Sequence, residues 1–224
     1  MIASAGTVTD TDGNVYQTVQ IGTQVWTVEN LRVTKYNDGT AIPLGTSTTT
    51  WTNATTPKYC FYNNTTNADS IKKYGALYNW YVVDTANTQK LAPAGWHVPT
   101  DSEWEVMQSY LVMHGYNYDG TTDTVNNKIA IALAAKTDWT AQSLTGTIGF
   151  DLTKNNNSGF SALPGGDRSS TGTFYNQSSY GYWWSATKYD SSYAWYRYLH
   201  FNDDFLYRVN YSKSFGFSVR LVKD

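Results

Sequence analysis

The chain has a single cysteine, Cys60, among its 224 residues. One thiol cannot form an internal disulfide, and it has no partner for a zinc site built on cysteines. A lone thiol could act as a nucleophile, but no recognisable catalytic motif ties Cys60 to any of the three histidines, His97, His114 and His200. The sequence therefore favours a structural or incidental Cys60.

Charge is also scarce, at 15% of residues with a net charge of −2. Lysine and arginine are dispersed without a basic stripe, so nucleic acid is not an expected partner. No apolar run approaches the ~20 residues that cross a bilayer, so no membrane-spanning segment is expected. Aromatic residues reach 16%, and this composition is typical of extracellular β-rich proteins. The expected location is exported, at the cell surface or extracellular, although no signal peptide or lipid anchor is visible in the chain.

Alternating apolar residues predict β-structure at both ends of the chain. The segments 15–21 and 24–28 are predicted to form a hairpin across a Gly-Thr turn. Residues 1–12 are small and polar and are expected to be weakly ordered, which leaves 13–224 as a single domain. Apolar residues alternate again over 217–221, which predicts a final strand.

Two main helices are predicted between these ends. Thr100 is a good N-cap, and Glu103 completes a capping box, so one helix begins there and ends at Gly115. A second helix is predicted over 126–136. The segment 74–83 fits either a buried helix or a strand. Two helices between β-rich ends, with short antiparallel strands and much irregular loop, predict an α+β domain.

Motifs for cofactor chemistry are missing. Gly165-Gly166-Asp167 lacks the strand–loop–helix context of a phosphate loop. Asp190, Asp203 and Asp204 could supply oxygen ligands to calcium, but they could equally be solvated loop residues or ligand contacts. No cofactor is predicted, and a structural calcium ion stays as an open alternative.

The segment 182–216 carries the strongest indication of function. At period two, one side of a strand would carry Trp195, Arg197 and Leu199. The other side would carry Tyr196, Tyr198 and His200. Such a row of rings suits a binding surface, because rigid aromatic side chains provide contact area at low entropy cost. The pattern alone leaves open the alternative that both faces are buried, as in a central strand.

Five stretches of the sequence occur in the order typical of one family. They are 74–80 (YGALYNW), 95–104 (GWHVPTDSEW), 159–166 (GFSALPGG), 184–187 (WSAT) and 216–220 (GFSVR). With them the chain resembles the Fibrobacter succinogenes major paralogous domain, common in exported Bacteroidetes proteins, from about Val15 to Asp224. The resemblance implies a C-type lectin-like fold in the variant shared with formylglycine-generating enzymes. Those enzymes use two cysteines in their C-terminal region, whereas Cys60 lies in the N-terminal half, so their chemistry is not expected.

A narrower resemblance is to the variable proteins of diversity-generating retroelements, whose C-terminal segment is rewritten by adenine-directed mutagenesis. An AAC codon altered in this way can encode Asn, Tyr, Asp, Ser, His, Phe or Val, among others, but not Trp, Lys, Glu, Gln or Met. Between Tyr189 and Phe215 only Trp195 and Lys213 belong to the excluded group. The resemblance implies a variable, ligand-binding segment, about 182–216, within a constant frame.

The predicted protein is therefore a non-catalytic binding protein for an unknown protein or glycan ligand on another cell, a phage or a host surface. The alternative is an ordinary exported adhesive domain of the same family, with a fixed carbohydrate or protein ligand. The candidate contact residues are expected to cluster on one solvent-facing surface, with Trp195, Arg197 and Leu199 turned inward. They are Tyr189, Asp190, Ser192, Tyr193, Tyr196, Tyr198, His200, Phe201, Asp203, Asp204, Phe205, Tyr207, Asn210, Tyr211 and Phe215.

Overall fold

A computed structural model describes residues 4–224, and antiparallel strands dominate it. The strands are β1 (Ser4–Thr9), β2 (Val15–Ile21), β3 (Gln24–Thr27), β4 (Tyr59–Cys60), β5 (Leu77–Asn79), β6 (Trp96–His97), β7 (Asp167–Arg168), β8 (Phe174–Tyr175), β9 (Tyr180–Lys188), β10 (Tyr193–His200), β11 (Tyr207–Ser212), β12 (Gly216–Phe217) and β13 (Val222–Lys223). The α-helices are α1 (Thr48–Trp51), α2 (Ala68–Tyr74), α3 (Asp101–Met113) and α4 (Ala130–Leu133). Single 3₁₀ turns occupy Tyr62–Asn64, Trp80–Val82 and Leu152–Lys154.

The strands form three sheets. The terminal sheet has the order β1-β2-β3-β13-β6, the three-stranded sheet the order β11-β10-β9, and the short-strand sheet the order β4-β5-β12-β7-β8. The predicted N-terminal hairpin is confirmed, since β2 pairs antiparallel with β3. Within the segment 1–12, expected to be weakly ordered, residues 4–9 form β1 and pair with β2. Residues 1–3 lie outside the described residues.

The predicted last strand is divided between two sheets. Phe217 belongs to β12, and Val222 pairs with both Trp26 and His97 in the terminal sheet. Val219 and Leu221 lie between these strands and are fully buried. The alternating apolar residues therefore tie the C-terminal segment into the core, although not as one continuous strand.

The predicted α+β class is wrong, because α-helices and 3₁₀ turns together hold only 17% of the chain and the sheets carry a β-rich fold. The C-type lectin-like fold with two main helices, which the resemblance implied, is overturned with it. The helix predicted over 126–136 shrinks to the single turn α4. Asn127 prevents the helix from starting at the predicted position. Its side chain donates a hydrogen bond to the carbonyl oxygen of Leu206 and accepts one from the Leu206 N–H. Ala134 then leaves α4 in an extended conformation and bridges to Ala162.

The helix that begins after Thr100 is confirmed. The Thr100 hydroxyl accepts from the Glu103 N–H at 3.3 Å, and the Glu103 carboxylate accepts from the Thr100 N–H at 2.7 Å. Both halves of the capping box are therefore present. The helix ends at Met113, and Gly115 follows with a φ of +78°. Trp104, Met107 and Leu111 face the core, as their helical spacing predicts.

The three-stranded sheet separates two hydrophobic clusters. On one side Leu199 and Trp183 pack with α3 and with residues of the terminal sheet. On the other side Trp184 and Tyr196 pack with Phe217. Because consecutive residues of β9 and β10 point to opposite faces, this one sheet contributes to both clusters.

Asp101, the first residue of α3, connects that helix to the three-stranded sheet. Its carboxylate lies 2.6 Å from Nη1 of Arg197 on β10 and 2.7 Å from Nη2 of Arg208 on β11. Burial alone would raise the pKa of Asp101, but the hydrogen bonds from Arg208 and Arg197 outweigh it, so the pKa is lowered. Arg197 is fully buried and has no other carboxylate partner between residues 4 and 224. The position of β10 therefore depends on this ion pair.

We expect Asp101→Asn to destabilise the protein by about 3 kcal/mol, because it leaves the Arg197 charge buried without a counter-charge. Since the pKa of Asp101 is lowered in the folded state, its contribution is present above its ordinary pKa and is lost as the pH falls through the folded value. Urea unfolding at pH 7 and at acidic pH measures both effects.

Glu105→Gln on the same helix is the matched control. Glu105 also reaches Arg208, at 3.3 Å, but it is exposed, so the loss should stay below about 1 kcal/mol. Equal losses in the two variants would contradict the special role of Asp101.

Candidate binding cleft

The two faces of β10 have different surroundings. On the inner face Arg197 and Leu199 are fully buried, and Trp195 lies half-buried with the Arg208 guanidinium 3.7 Å from its ring centroid. On the outer face Tyr196 is 7% exposed, while Tyr198 and His200 are half-buried. The outer face is therefore neither wholly core nor wholly solvent. Tyr198 and His200 are both more exposed than Tyr196.

Cross-strand pairing extends this outer face into a row of rings. Tyr198 pairs with Tyr182 of β9 on one side and with Tyr207 of β11 on the other. The Tyr198 and Tyr207 rings stack 4.5 Å apart, at an interplanar angle of 4°. His200 pairs with Tyr180 and stacks on it at 4.0 Å. Each ring is thus held by a neighbour on the next strand, which restricts its rotation.

The rings form one wall of a cleft of about 460 Å³ between the three-stranded sheet and the short-strand sheet. We call this feature the tyrosine cleft. Its lining residues are Asp167, Ser169, Tyr175, Asn176, Tyr180, Tyr182, Tyr196, Tyr198, Val209, Tyr211, Phe215 and Phe217. Its size and aromatic lining suit a ligand site, which needs concavity, apolar area and a few placed polar groups.

Asp167 supplies the polar centre of the tyrosine cleft. Its side chain is only 4% exposed, and its Oδ1 accepts a hydrogen bond of 2.8 Å from Nδ2 of Asn176. The same Nδ2 lies 3.1 Å from the hydroxyl oxygen of Tyr182. Burial raises the pKa of Asp167 to about 6, and the hydrogen bond from Asn176 only partly opposes that shift. The carboxyl group is therefore charged at neutral pH but easily protonated in mild acid.

A tight turn places this carboxylate. Gly166 has a φ of +69°, and a Cβ added there would lie 2.5 Å from the carbonyl oxygen of Tyr175. Only glycine allows β7 and β8 to approach so closely. Asp167 then pairs with Tyr175 in the ladder, and its side chain enters the cleft.

The structure divides the fifteen predicted contact residues into four groups. The cleft is lined by Tyr196, Tyr198, Tyr211 and Phe215. His200 and Tyr207 lie beside the cleft and stack on two of its rings. The pairing register of β10 and β11 places Tyr193 and Asn210 on the opposite face of the sheet. The connection between β9 and β10 holds Tyr189, Asp190 and Ser192. The connection between β10 and β11 holds Phe201, Asp203, Asp204 and Phe205.

Hydrogen bonds fix both of those connections. The Asp190 carboxylate accepts from the N–H groups of Ser192 and Tyr193, at 2.7 and 2.8 Å. The Lys213 Nζ donates to the carbonyl oxygens of Asp190 and Ser191, at 2.8 and 3.0 Å. In the other connection Asp203 accepts from the Tyr207 hydroxyl at 2.5 Å. Asp190 and Asp203 are therefore already engaged within the protein.

Eight residues that line the cleft are absent from the predicted set. They are Asp167, Ser169, Tyr175, Asn176, Tyr180, Tyr182, Val209 and Phe217. Alternation along β9 could have found Tyr180 and Tyr182, since they share a face with Trp184. Nothing local marks Asp167, whose neighbours Gly165 and Gly166 indicate only a turn.

Cys60 and the calcium candidates do not form a centre with the cleft. Cys60 is fully buried, and burial raises the pKa of its thiol to about 12. Among residues 4–224 no group of three or more His, Cys, Asp or Glu side chains is placed to hold a metal ion. Within the same residues no helix is both long and apolar enough to cross a membrane.

Comparison with known proteins finds one family. The model of the family described as the Fibrobacter succinogenes major domain matches residues 19–223. Neither a curated protein nor a solved structure matches the chain.

We expect Asp167→Asn to stabilise the protein above pH 6, by on the order of 2 kcal/mol. The folded state raises the pKa of Asp167 from 3.8 to about 6, so it binds the proton more tightly than the unfolded state. The contribution of Asp167 to the free energy of unfolding should therefore be most favourable below pH 4 and decrease as the pH rises to 6, and the neutral amide should remove this component of the pH profile. Thermal or urea unfolding between pH 3.5 and 8 measures it.

Asp38→Asn provides the control, because Asp38 is exposed and, among the described residues, its side chain accepts only from the Thr40 N–H, which an Asn oxygen can also bind. Its pH profile should follow that of the parent protein. A decline between pH 4 and 6 that persists in Asp167→Asn would show that another group causes it.

Proposed function

The chain belongs to the Fibrobacter succinogenes major domain family, and we propose that it acts there as a non-catalytic binding protein, exported or displayed at the cell surface. The tyrosine cleft is the proposed ligand site. The ligand is a protein or glycan on another cell, a phage or a host surface. The segment 182–216 is proposed to be diversified by a retroelement through adenine-directed mutagenesis.

The observation that carries the proposal is the concave row of stacked rings. Tyr198 and Tyr211 line an open cleft and keep part of their side chains exposed. Stacking on neighbours, such as Tyr198 on Tyr207, removes ring mobility before a ligand arrives. Because that entropy is already lost, contact with these rings contributes more of its free energy to binding.

The separation of frame and rings supports diversification. Arg197 and Leu199 are buried on the inner face and Lys213 is buried just after β11, whereas Tyr198 and Tyr211 retain exposed surface on the outer face. Changes at exposed positions usually alter stability by less than ~0.5 kcal/mol. The ring positions can therefore change without loss of the fold.

Tyr196 is an exception within the row. It is almost fully buried, and its ring lies 4.8 Å from that of Phe217 and 6.1 Å from that of Trp184. Substitution there would open a cavity in the core. In the proposed diversified segment, Tyr196 should vary least among the ring positions.

The fixed-ligand alternative is favoured by Asp167 and Asn176. Both lie outside the segment 182–216, so diversification would leave them unchanged. A constant carboxylate and amide beside aromatic rings are also the groups that orient one particular ligand. The binding proposal is common to both alternatives, and they differ only in whether the wall formed by β10 and β11 varies.

The cysteine-based chemistry of formylglycine-generating enzymes has little support in this chain. Cys60 is the only thiol of the chain and is not among the residues that line the cleft. Its raised pKa keeps it protonated and unreactive at neutral pH.

Binding should depend on Tyr211 and not on Tyr193. The two side chains are 45% and 43% exposed on the same sheet, but only Tyr211 lines the cleft. On glycan and peptide arrays we expect Tyr211→Ala to lose most of the signal of the parent protein, and Tyr193→Ala to retain it. Circular dichroism establishes that both variants fold. Equal signals from the two variants, or no array signal from the parent protein, would count against the cleft.

Genome sequence tests the diversification. We expect a near-copy of the DNA for residues 182–216 beside a reverse-transcriptase gene, differing at adenines that encode Tyr198, Tyr207 and Tyr211. The codons of Arg197, Leu199 and Lys213 should match between the copies. Differences spread equally over frame and ring codons, or the absence of a copy and of the reverse transcriptase, would leave the fixed-ligand alternative.

A further inference from the structure

The tyrosine cleft has a charge that no described residue balances. Of the described residues that line it, Asp167 alone is charged at neutral pH. No lysine, arginine or histidine among residues 4–224 lies within 4.0 Å of its carboxylate. A buried carboxylate without a cation is unfavourable in the folded protein, and natural proteins seldom keep one without a partner.

Arg168, the cationic residue nearest to Asp167 in the sequence, points away from the cleft. Arg168 follows Asp167 on β7, and strand alternation turns its side chain to the other face of the sheet. Its guanidinium donates to the carbonyl oxygens of Gly45, Thr46 and Gly172. It also lies 4.5 Å from the ring centroid of Trp51. Arg168 is therefore fully engaged and cannot neutralise Asp167.

The rings around Asp167 suit a cation. The faces of tyrosine rings carry negative electrostatic potential and attract cations within about 6 Å of the ring centroid. Tyr196 and Tyr198 lie 6.0 Å apart, and Tyr182 lies 6.1 and 5.9 Å from them. The three rings line the cleft together with Asp167, but the faces of Tyr182 are covered by Tyr180 and Phe217, stacked on it at 5.5 and 4.9 Å.

The phenol groups near Asp167 stay neutral. Burial, with a further contribution from the Asp167 charge, raises the pKa of Tyr182, Tyr196 and Tyr62. Across the β7–β8 ladder, Tyr175 is the paired residue. The cleft therefore carries a single negative charge at neutral pH, and an anionic ligand would be repelled.

We propose that the tyrosine cleft binds a ligand through an organic ammonium group, which pairs with Asp167 and lies against the aromatic lining that Tyr196 and Tyr198 provide. This inference rests on the proposed function of the cleft and adds the chemical class that it selects. A lysine side chain, methylated or not, and a choline-like trimethylammonium group share this chemistry. A metal ion does not fit, because calcium requires six to eight oxygen ligands and the cleft offers one carboxylate.

Calorimetric titration of the full chain at pH 7.5 and low salt tests the proposal. The probes are choline, its neutral isostere 3,3-dimethylbutanol, Nα-acetyl-lysine amide and a methyl glucoside. We expect choline or the lysine amide to bind at least tenfold more tightly than 3,3-dimethylbutanol. Tighter binding of choline would indicate a small quaternary amine, and tighter binding of the lysine amide a protein side chain.

Asp167→Asn should weaken binding of the cationic probe at least tenfold and leave 3,3-dimethylbutanol unaffected. Because the same variant is expected to be more stable at this pH, lost binding would not reflect unfolding. Asp38→Asn should behave as the parent protein. Binding of the cation should also weaken as the pH falls below 6, since protonation removes the charge of Asp167.

Equal affinity for choline and its neutral isostere would overturn the inference, as would cation binding that survives Asp167→Asn. Preference for the methyl glucoside would likewise overturn it and identify a polyol site. In these cases a loss of array binding in Tyr211→Ala would still support the cleft as a ligand site. Unchanged array binding in Tyr211→Ala would instead overturn the proposed function itself.

Discussion

The fold depends on buried arginine side chains that bind the carbonyl oxygens of irregular segments. Arg220 donates to the carbonyls of residues 27, 28, 160 and 161, and Arg168 to those of residues 45, 46 and 172. Strands of two residues leave many buried carbonyls outside any ladder, and such groups need donors. A guanidinium provides five donors in a fixed plane, which a lysine ammonium cannot reproduce. These arginines let a chain with few long elements keep a closed core.

Arg197 belongs to the same set and has a consequence for the cleft. Its charge is balanced by Asp101 on the inner face of β10, and among residues 4–224 no ion pair involves the outer-face residues of that strand. Rings from β9, β10 and β11 can therefore stack on one another there. The tyrosine cleft can form because the ion pair that stabilises the sheet lies on its inner face, whereas the rings that line the cleft lie on its outer face. Tyr196 also lies on the outer face, but it is buried against Trp184 and Phe217, so it marks where the packed part of that face meets the cleft.

Local patterns in the sequence predicted only the features that local physics determines. The Thr100–Glu103 capping box and the period-two division of β10 depend on residues a few positions apart. The second helix failed because Asn127 binds the backbone of Leu206, a contact between distant segments that no periodicity reveals. Asp167 was missed for the same reason, since β7 has two residues and enters the cleft through pairing with β8 and β12. The family was recognisable because five motifs survive in order, but motif order does not give the proportion of helix to strand.

Lys213 has a further consequence for the tip of the β9–β10 hairpin. Its ammonium binds the carbonyl oxygens of Asp190 and Ser191 and lies 4.5 Å from the ring centroid of Trp80. An anchor of this kind acts on the main chain and does not depend on which side chains the tip carries. The hairpin tip is thus a natural grafting position, where a foreign peptide loop would begin and end on a backbone already fixed to the body of the protein.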